Sequence, residues 1–280
     1  MIVRCYGARG SIPVSGKEYF RYGGDTCCLE VRSRNDEIII VDTGTGVRRL
    51  GKKLILEGRS EFNILFTHSH WDHILGFPFF KPIYSDKTIL HLRGCPTAQG
   101  NIQRLLSKAM STPLFPVPFD KLNARILYDG SCPSILTIDS IQIHPIHLSH
   151  PNVGLGFKFV EKDTQFVFLT DNELGYRHKN GRSFEEYVEF ARGSDLLIHD
   201  AEFTPQEYAF TRTWGHSTYL DALDLAMAAG VKRLGLFHHN QDRKDEDMDR
   251  LVRHCREIAD KKGTAPECFA LTQDTELVLE

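Results

Sequence analysis

A chain of 280 residues, 41% apolar and 25% charged, has the make-up of a globular protein with apolar material for a sizeable core. Its formal net charge of −3 gives no bulk attraction to nucleic acid. No run of about 18 apolar residues occurs, and Met1 to Cys5 lacks a signal peptide's basic and apolar regions, so neither a membrane span nor a leader is expected. Ile2 to Tyr6 reads as a short strand, followed by the tight loop Gly7-Ala8-Arg9-Gly10-Ser11-Ile12-Pro13. Tyr22-Gly23-Gly24-Asp25-Thr26 is a second glycine turn, ahead of a strand from Cys27 to Val31. Loops so rich in backbone N–H groups are either ordinary turns or an anion-binding concavity. Glu37 to Val41 is a buried strand running into Asp42-Thr43-Gly44-Thr45-Gly46. Val47, Leu50, Leu54 and Ile55 then recur at helical spacing over Val47 to Glu57.

The apolar, aromatic run Phe62 to Phe66 predicts a buried strand, and it ends in Thr67-His68-Ser69-His70-Trp71-Asp72-His73. This loop sits where open α/β sheets place their ligands. His68 and His70 are two apart, so at an extended strand end both imidazoles can point to one side. Asp72 and His73 lie just beyond, where the chain turns, and can face a second point. One ion cannot easily take all four groups from so tight a loop, whereas two ions roughly 3.5 to 4 Å apart can share them. Solvated histidines in a polar loop are the alternative, and three histidines with an aspartate in this order argue against it.

The run resembles the H-x-H-x-D-H signature of the metallo-β-lactamase-fold hydrolases. The two glycine loops resemble the opening of the subgroup that contains tRNA 3′-end endonucleases (tRNase Z) and cyclic-nucleotide phosphodiesterases. That resemblance implies that the first loop lies near the metal site. It also implies that Asp42 supports the metal loop through a ligand histidine or loop backbone. A helix-capping aspartate is the equally simple reading of its spacing.

Thr88 to Leu92 is a further strand. Between Arg93 and Asp129 the texture changes. Gln99 to Met110 can be helical, but Thr112-Pro113-Leu114-Phe115-Pro116-Val117-Pro118-Phe119 is extended, because its prolines block helix and central strand alike. It is either a packed connection or a lid or dimer arm offering Phe115 and Phe119. Ile135 to Ile138 and Ser140 to Pro145 read as paired strands, before Ile146-His147-Leu148-Ser149-His150-Pro151 and the strand Leu155 to Phe159. Of His144, His147 and His150, the last precedes a small turn and resembles the family's third ligand motif. His147 is its competitor. Gln165 to Leu169 is a strand leading into Thr170-Asp171-Asn172, and Asp171 matches the family's bridging aspartate.

Ser183 to Ala191 is an amphipathic helix with Ser183 as its N-cap. Asp195 to Ile198 is a strand ending in His199-Asp200-Ala201-Glu202-Phe203. Trp214-Gly215-His216-Ser217-Thr218 precedes a helix from Tyr219 to Ala229. The two segments resemble the paired H-E-A-T and H-S-T motifs of the tRNase Z-like branch, where an acid orients a proton-donating histidine. By position Asp200 replaces the glutamate, one methylene shorter, and His216 is the donor. Val231 to Phe237 is a strand ending in His238-His239, where His238 resembles the final ligand and His239 competes with it. A charged helix over Arg243 to Lys261 and extended runs at Glu267 to Leu271 and Glu276 to Leu279 complete the chain.

The resemblance implies one α/β domain over residues 1–280, an αββα four-layer sandwich with its metal site at the open edge of two sheets. His68, His70 and His150 would hold one ion, and Asp72, His73 and His238 the other, with Asp171 between them. Asp72 counts among the catalytic residues as well, beside Asp200 and His216. Imidazole and carboxylate donors suit Zn, with Mn or Fe also accepted. Such a pair makes hydroxide from a shared water near neutral pH, and His216 would protonate the leaving oxygen. The leading expectation is a phosphodiesterase on small substrates such as cyclic nucleotides. A thioester or lactone hydrolase, a tRNA 3′-end endonuclease and a metal-binding scaffold are the alternatives. No membrane partner and no stable nucleic-acid binding are expected, and a homodimer is allowed. The seven cysteines, Cys5, Cys27, Cys28, Cys95, Cys132, Cys255 and Cys268, are scattered without a C-x-x-C. They read as reduced thiols of a cytoplasmic protein.

Overall fold

Alternation along the buried strands separates three apolar layers. In β3 (Ile38–Val41), Ile39 and Val41 face one layer while Ile38 and Ile40 face another. In β10 (Thr164–Leu169), Phe166 and Phe168 face the first of these layers, and Val167 and Leu169 face a third. Strands apolar on both sides belong to sheets covered on both faces. The computed structural model describes residues 1–95, 101–263 and 266–280. Within them, two seven-stranded sheets pack face to face with helices outside each.

The first sheet runs β14 (Glu276–Val278), β1 (Ile2–Gly7), β2 (Cys28–Arg32), β3, β4 (Glu61–Leu65), β5 (Ile89–Arg93) and β6 (Arg125–Asp129). The second runs β13 (Glu267–Ala270), β12 (Arg233–Phe237), β11 (Leu196–Asp200), β10, β9 (Gly154–Glu161), β8 (Ile141–Leu148) and β7 (Leu136–Ile138). Each sheet is parallel over one half, β3 to β6 in the first and β10 to β13 in the second. The C-terminal ends of β3, β4, β10, β11 and β12 carry Asp42, the Thr67–His73 loop, Asp171, Asp200 and His238. Parallel pairing therefore collects polar residues far apart in sequence along one edge of the sandwich.

Helix α1 (Val47–Leu56) covers the first sheet with Val47, Leu50 and Leu54, beside Phe77 and Phe80. Helix α2 (Trp71–Ile74) is a single turn, and α3 (Ile102–Ala109) adds Ile102 and Leu106. The second sheet is covered by α4 (Phe184–Ala191), α6 (Tyr219–Ala229) and α7 (Asp245–Lys262), while the short α5 (Pro205–Thr211) buries none of its residues. Ser183 caps α4 in a reciprocal box with Glu186.

Three local differences from the sequence expectations have physical causes. Strand β6 escapes pattern reading because it is an edge strand with no fully buried residue. Asp72 and His73, expected only where the chain turns, lie in a helical turn with His70 as its N-cap. Cys95 and Cys132 form a disulfide, which corrects the reading of seven reduced thiols; the other five cysteines are buried and unbridged. The pair is hidden in sequence but adjacent in space, since β5 and β6 pair in parallel with Arg93 opposite Asp129, just before each cysteine. Gln99, the expected start of α3, lies outside the described residues. Phe115 and Phe119 turn onto Phe79 and Phe77, with ring centroids 5.7 and 6.0 Å apart. Among the described residues, no helix is long and apolar enough to cross a membrane.

Candidate active site

The loop after β4 is fixed by Asp42 at the neighbouring strand end. Its Oδ1 accepts the Thr67 backbone N–H at 2.8 Å, and its Oδ2 accepts the Thr67 hydroxyl at 2.7 Å and meets His73 Nδ1 at 2.8 Å. Asp42 thus binds both loop backbone and a candidate ligand histidine. With Nδ1 bound, the His73 ring turns Nε2 toward Asp171 and Asp72, at 3.2 and 3.3 Å.

The structure brings all seven expected ligands together in two adjoining groups. The first comprises His68, His70, His150 and Asp171, whose donor atoms lie within 4.8 Å of one another. His70 Nδ1 faces His150 Nε2 at 3.1 Å, and His68 Nε2 faces Asp171 Oδ2 at 3.3 Å. The second group holds Asp72, His73 and His238, and His238 Nε2 lies 3.1 Å from Asp72 Oδ2. Asp171 Oδ1 is 3.2 Å from His73 Nε2 and 3.3 Å from His238 Nε2. One oxygen of Asp171 therefore serves each group.

The competing histidines lie elsewhere. His239 Nε2 donates to the Leu271 carbonyl at 2.8 Å, and burial with Arg9 nearby pushes its pKa down to about 3. His144 and His147 sit within β8 and belong to neither group.

Close backbone approach is built in at two glycines. A Cβ on Gly10 would meet the His238 ring at 2.3 Å, and one on Gly215 would meet His150 Nδ1 at 2.1 Å. Gly215 also has φ +98°, and its carbonyl faces His150 Nδ1 at 2.9 Å. The Gly7–Pro13 loop reaches the site through Ser11, whose N–H donates to Asp72 Oδ2 at 2.9 Å. Asp42, Asp171 and His238 all have left-handed backbone, with φ of 61°, 54° and 57°.

His216 stands over the second group. Its ring stacks on His238 at 4.6 Å, and its Nδ1 meets Asp200 Oδ2 at 2.7 Å. The shorter aspartate therefore reaches the histidine. Burial opposes charge on His216, but Asp200 and Glu202 more than offset it and hold the pKa up at about 9. Glu202 also meets His238 Nδ1 at 3.0 Å, a tie that sequence reading missed. Glu173 was missed as well. Buried before α4, it accepts the N–H groups of Thr213 and Gly215 at 2.7 and 2.8 Å and the Tyr208 hydroxyl at 2.6 Å, fixing the segment that carries His216.

These residues fit divalent cations. Nε2 of both His68 and His73 is buried without a hydrogen-bond partner, which is costly unless something else takes the lone pair. Burial pushes His70 down to about 4 and His150 well below its usual range, with His68 adding to both, so their rings are neutral donors. At the second group burial opposes charge on His73 and His238, yet Asp171 and its neighbours hold both well above the usual range. Those carboxylates attract positive charge to a site that a metal ion can replace. Cys27 Sγ also lies within 4.8 Å of the donor atoms of Asp72, His73 and His238.

Residues 38–239 match the family model described as the beta-lactamase superfamily domain. Ribonuclease Z of Picrophilus torridus is 23% identical, with 97% of this chain and 96% of that protein covered. The metallo-beta-lactamase fold protein YhfI from Bacillus subtilis superimposes with a TM-score of 0.70 at 18% identity, covering 99% of this chain and 98% of that one. Yeast PDE1 superimposes with a TM-score of 0.68 at 15% identity, covering 99% of each chain. With its matched domain, its two-sheet sandwich and its converging histidines and aspartates, the chain belongs to the beta-lactamase superfamily and is a metal-dependent hydrolase of the metallo-β-lactamase fold.

Proposed function

We propose that this hydrolase is a phosphodiesterase that binds two ions and acts on small substrates such as cyclic nucleotides. His68, His70 and His150 would hold one ion and Asp72, His73 and His238 the other, with Asp171 between them. Zn is the preferred metal for this donor set. Bound divalent ions supply Lewis acidity toward a phosphoryl oxygen and lower the pKa of water.

The observation that carries the reading is the Asp200–His216 pair, joined at 2.7 Å beside the bridging carboxylate. Asp200 engages Nδ1 and so fixes the ring with Nε2 as the nitrogen left to act. A proton held there can pass to the oxygen that leaves phosphorus. Thioester hydrolysis gives such a donor less to do, because a thiolate leaves with less help than a nucleotide alkoxide. Asp72 is held by Ser11 N–H and His238, which keeps its carboxylate aimed at the second ion position.

Trp71 lies within the ligand loop and Trp214 two residues before His216, and they are 64% and 62% exposed. Flat aromatic surfaces so placed suit a nucleobase, with stacking worth roughly 1–3 kcal/mol per base. Relatives named ribonuclease Z align over nearly the whole chain, which supports RNA 3′-end cleavage as the second reading. The net charge of −3 favours the smaller substrate.

The test is hydrolysis of bis(p-nitrophenyl) phosphate by metal-reconstituted protein beside His216→Ala and Asp171→Ala, followed by cyclic nucleotides and a precursor tRNA. Turnover of cyclic nucleotides, lost in both variants, is expected. Two bound ions with no phosphodiester turned over would overturn the proposal, and preferential cleavage of the precursor tRNA would replace it with the second reading.

A further inference from the structure

Adjacent cysteines enter the first sheet with opposite fates. Cys28 opens β2 and packs into the outer apolar layer against α1, whereas Cys27 belongs to the layer between the sheets. The one-residue alternation of the strand thus points Cys27 inward. Its Sγ lies within 4.8 Å of one donor atom each from Asp72, His73 and His238, and all four residues are buried. The thiol's contact with the Arg9 carbonyl is a long one, 3.9 Å.

A second observation points into the same cluster. His73 is wholly buried, and its Nε2 has no hydrogen-bond partner. Its other nitrogen is engaged by Asp42. The imidazole therefore aims Nε2, which contacts the carboxylates of Asp72 and Asp171 at 3.3 and 3.2 Å without hydrogen-bonding either, at a point shared with those carboxylates, a second imidazole and a thiol. With the Asp171 oxygen that faces this group, one sulfur, two nitrogens and two oxygens make a five-donor set for a borderline-soft ion.

We propose that Cys27 is a ligand of the second ion, binding as the thiolate and making that position selective for Zn over Mn or Mg. The inference rests on the reading of Asp72, His73 and His238 as an ion site. On coordination the sulfur–metal bond forms and the thiol proton passes to solvent, so no oxidant or reductant enters. The two positions then differ in kind. The histidine-rich one offers nitrogen and oxygen alone, while the other adds a soft donor and a negative charge.

The experiment uses full-length protein loaded with cobalt(II) to two ions per chain, verified by metal analysis. The wild type is expected to show a thiolate-to-cobalt charge-transfer band in the near ultraviolet, and Cys27→Ser is expected to lose that band while keeping the visible ligand-field bands. Two bound cobalt ions without the band, or a band that survives in Cys27→Ser, would overturn the inference. Should the variant fail to fold, zinc-edge X-ray absorption of the wild type decides, with a sulfur shell at about 2.3 Å expected. A shell of nitrogen and oxygen alone refutes it. His238→Ala separates this failure from that of the underlying reading, because retention of both ions in that variant would remove the ion site itself.

Discussion

Asp42→Ala tests whether the metal loop is held from behind. The side chain makes three contacts of 2.7 to 2.8 Å, to the Thr67 N–H, the Thr67 hydroxyl and His73 Nδ1. Alanine removes all three in a place where water does not replace them, since Asp42, Thr67 and His73 are essentially unexposed. Hydrogen bonds to a charged group are worth about 1.5–3 kcal/mol each, so the lower bound for the three is roughly 4–5 kcal/mol. Relief of a buried carboxylate offsets part of this, while alanine keeps the left-handed backbone strain, leaving a loss of about 2–4 kcal/mol in metal-free protein. Freed of its anchor, His73 should also hold its ion about 10–100-fold more weakly. Urea unfolding of chelator-treated protein measures the first effect, and competition with a colorimetric chelator measures the second. A variant within 0.5 kcal/mol of wild type (about the scatter of a neutral surface substitution) that also retains both ions normally would refute this account of the loop.

His216→Ala should lower turnover of a cyclic nucleotide by about 10²–10⁴-fold while sparing bis(p-nitrophenyl) phosphate, whose leaving group needs no proton; equal losses on both substrates would count against proton donation. The acid form of His216 is the active one, so cyclic-nucleotide turnover should fall as pH rises through the folded pKa. Bound cations lower that pKa from about 9, which places the alkaline limb of the pH–rate profile at or below this value, and the limb should vanish in His216→Ala. Gly215→Ala should displace the His150 ring, because the added methyl lies 2.1 Å from Nδ1, and should remove the first ion from metal analysis while leaving far-ultraviolet circular dichroism unchanged. Trp214→Ala should raise KM for nucleotides by about 5- to 100-fold with little change for bis(p-nitrophenyl) phosphate, in line with a stacking contribution of roughly 1–3 kcal/mol; an unchanged KM would remove Trp214 from the substrate site.

The candidate site was legible where neighbouring residues carry the chemistry. His68, His70, Asp72 and His73 are consecutive enough for spacing to fix their common direction. His150, Asp171 and His238 were legible through their resemblance to the family's ligand motifs; parallel pairing delivers Asp171 and His238 to one edge, whereas His150 follows the antiparallel β8. Glu173 and Glu202 were not, because the backbone N–H groups that Glu173 accepts and the His238 ring that Glu202 meets lie about 40 residues away in sequence. Cys27 was hidden in the same way, since the side chains around it come from two distant segments. In the fold, β6 and the Cys95–Cys132 bridge escaped for related reasons. An edge strand has no apolar rhythm to read, and two cysteines become a pair only when the strands before them are placed side by side.

The left-handed backbone at Asp42, Asp171 and His238 ties function to robustness. A side chain in that conformation costs roughly 1–2 kcal/mol relative to an unstrained residue, and glycine carries no such penalty. Two of the three positions are also buried carboxylates. A metal-free population screened only for heat resistance would therefore drift toward glycine at these corners. The survivors would be tougher scaffolds with no reaction centre, so any thermostabilised version of this enzyme has to be selected with its ions bound and its substrate present.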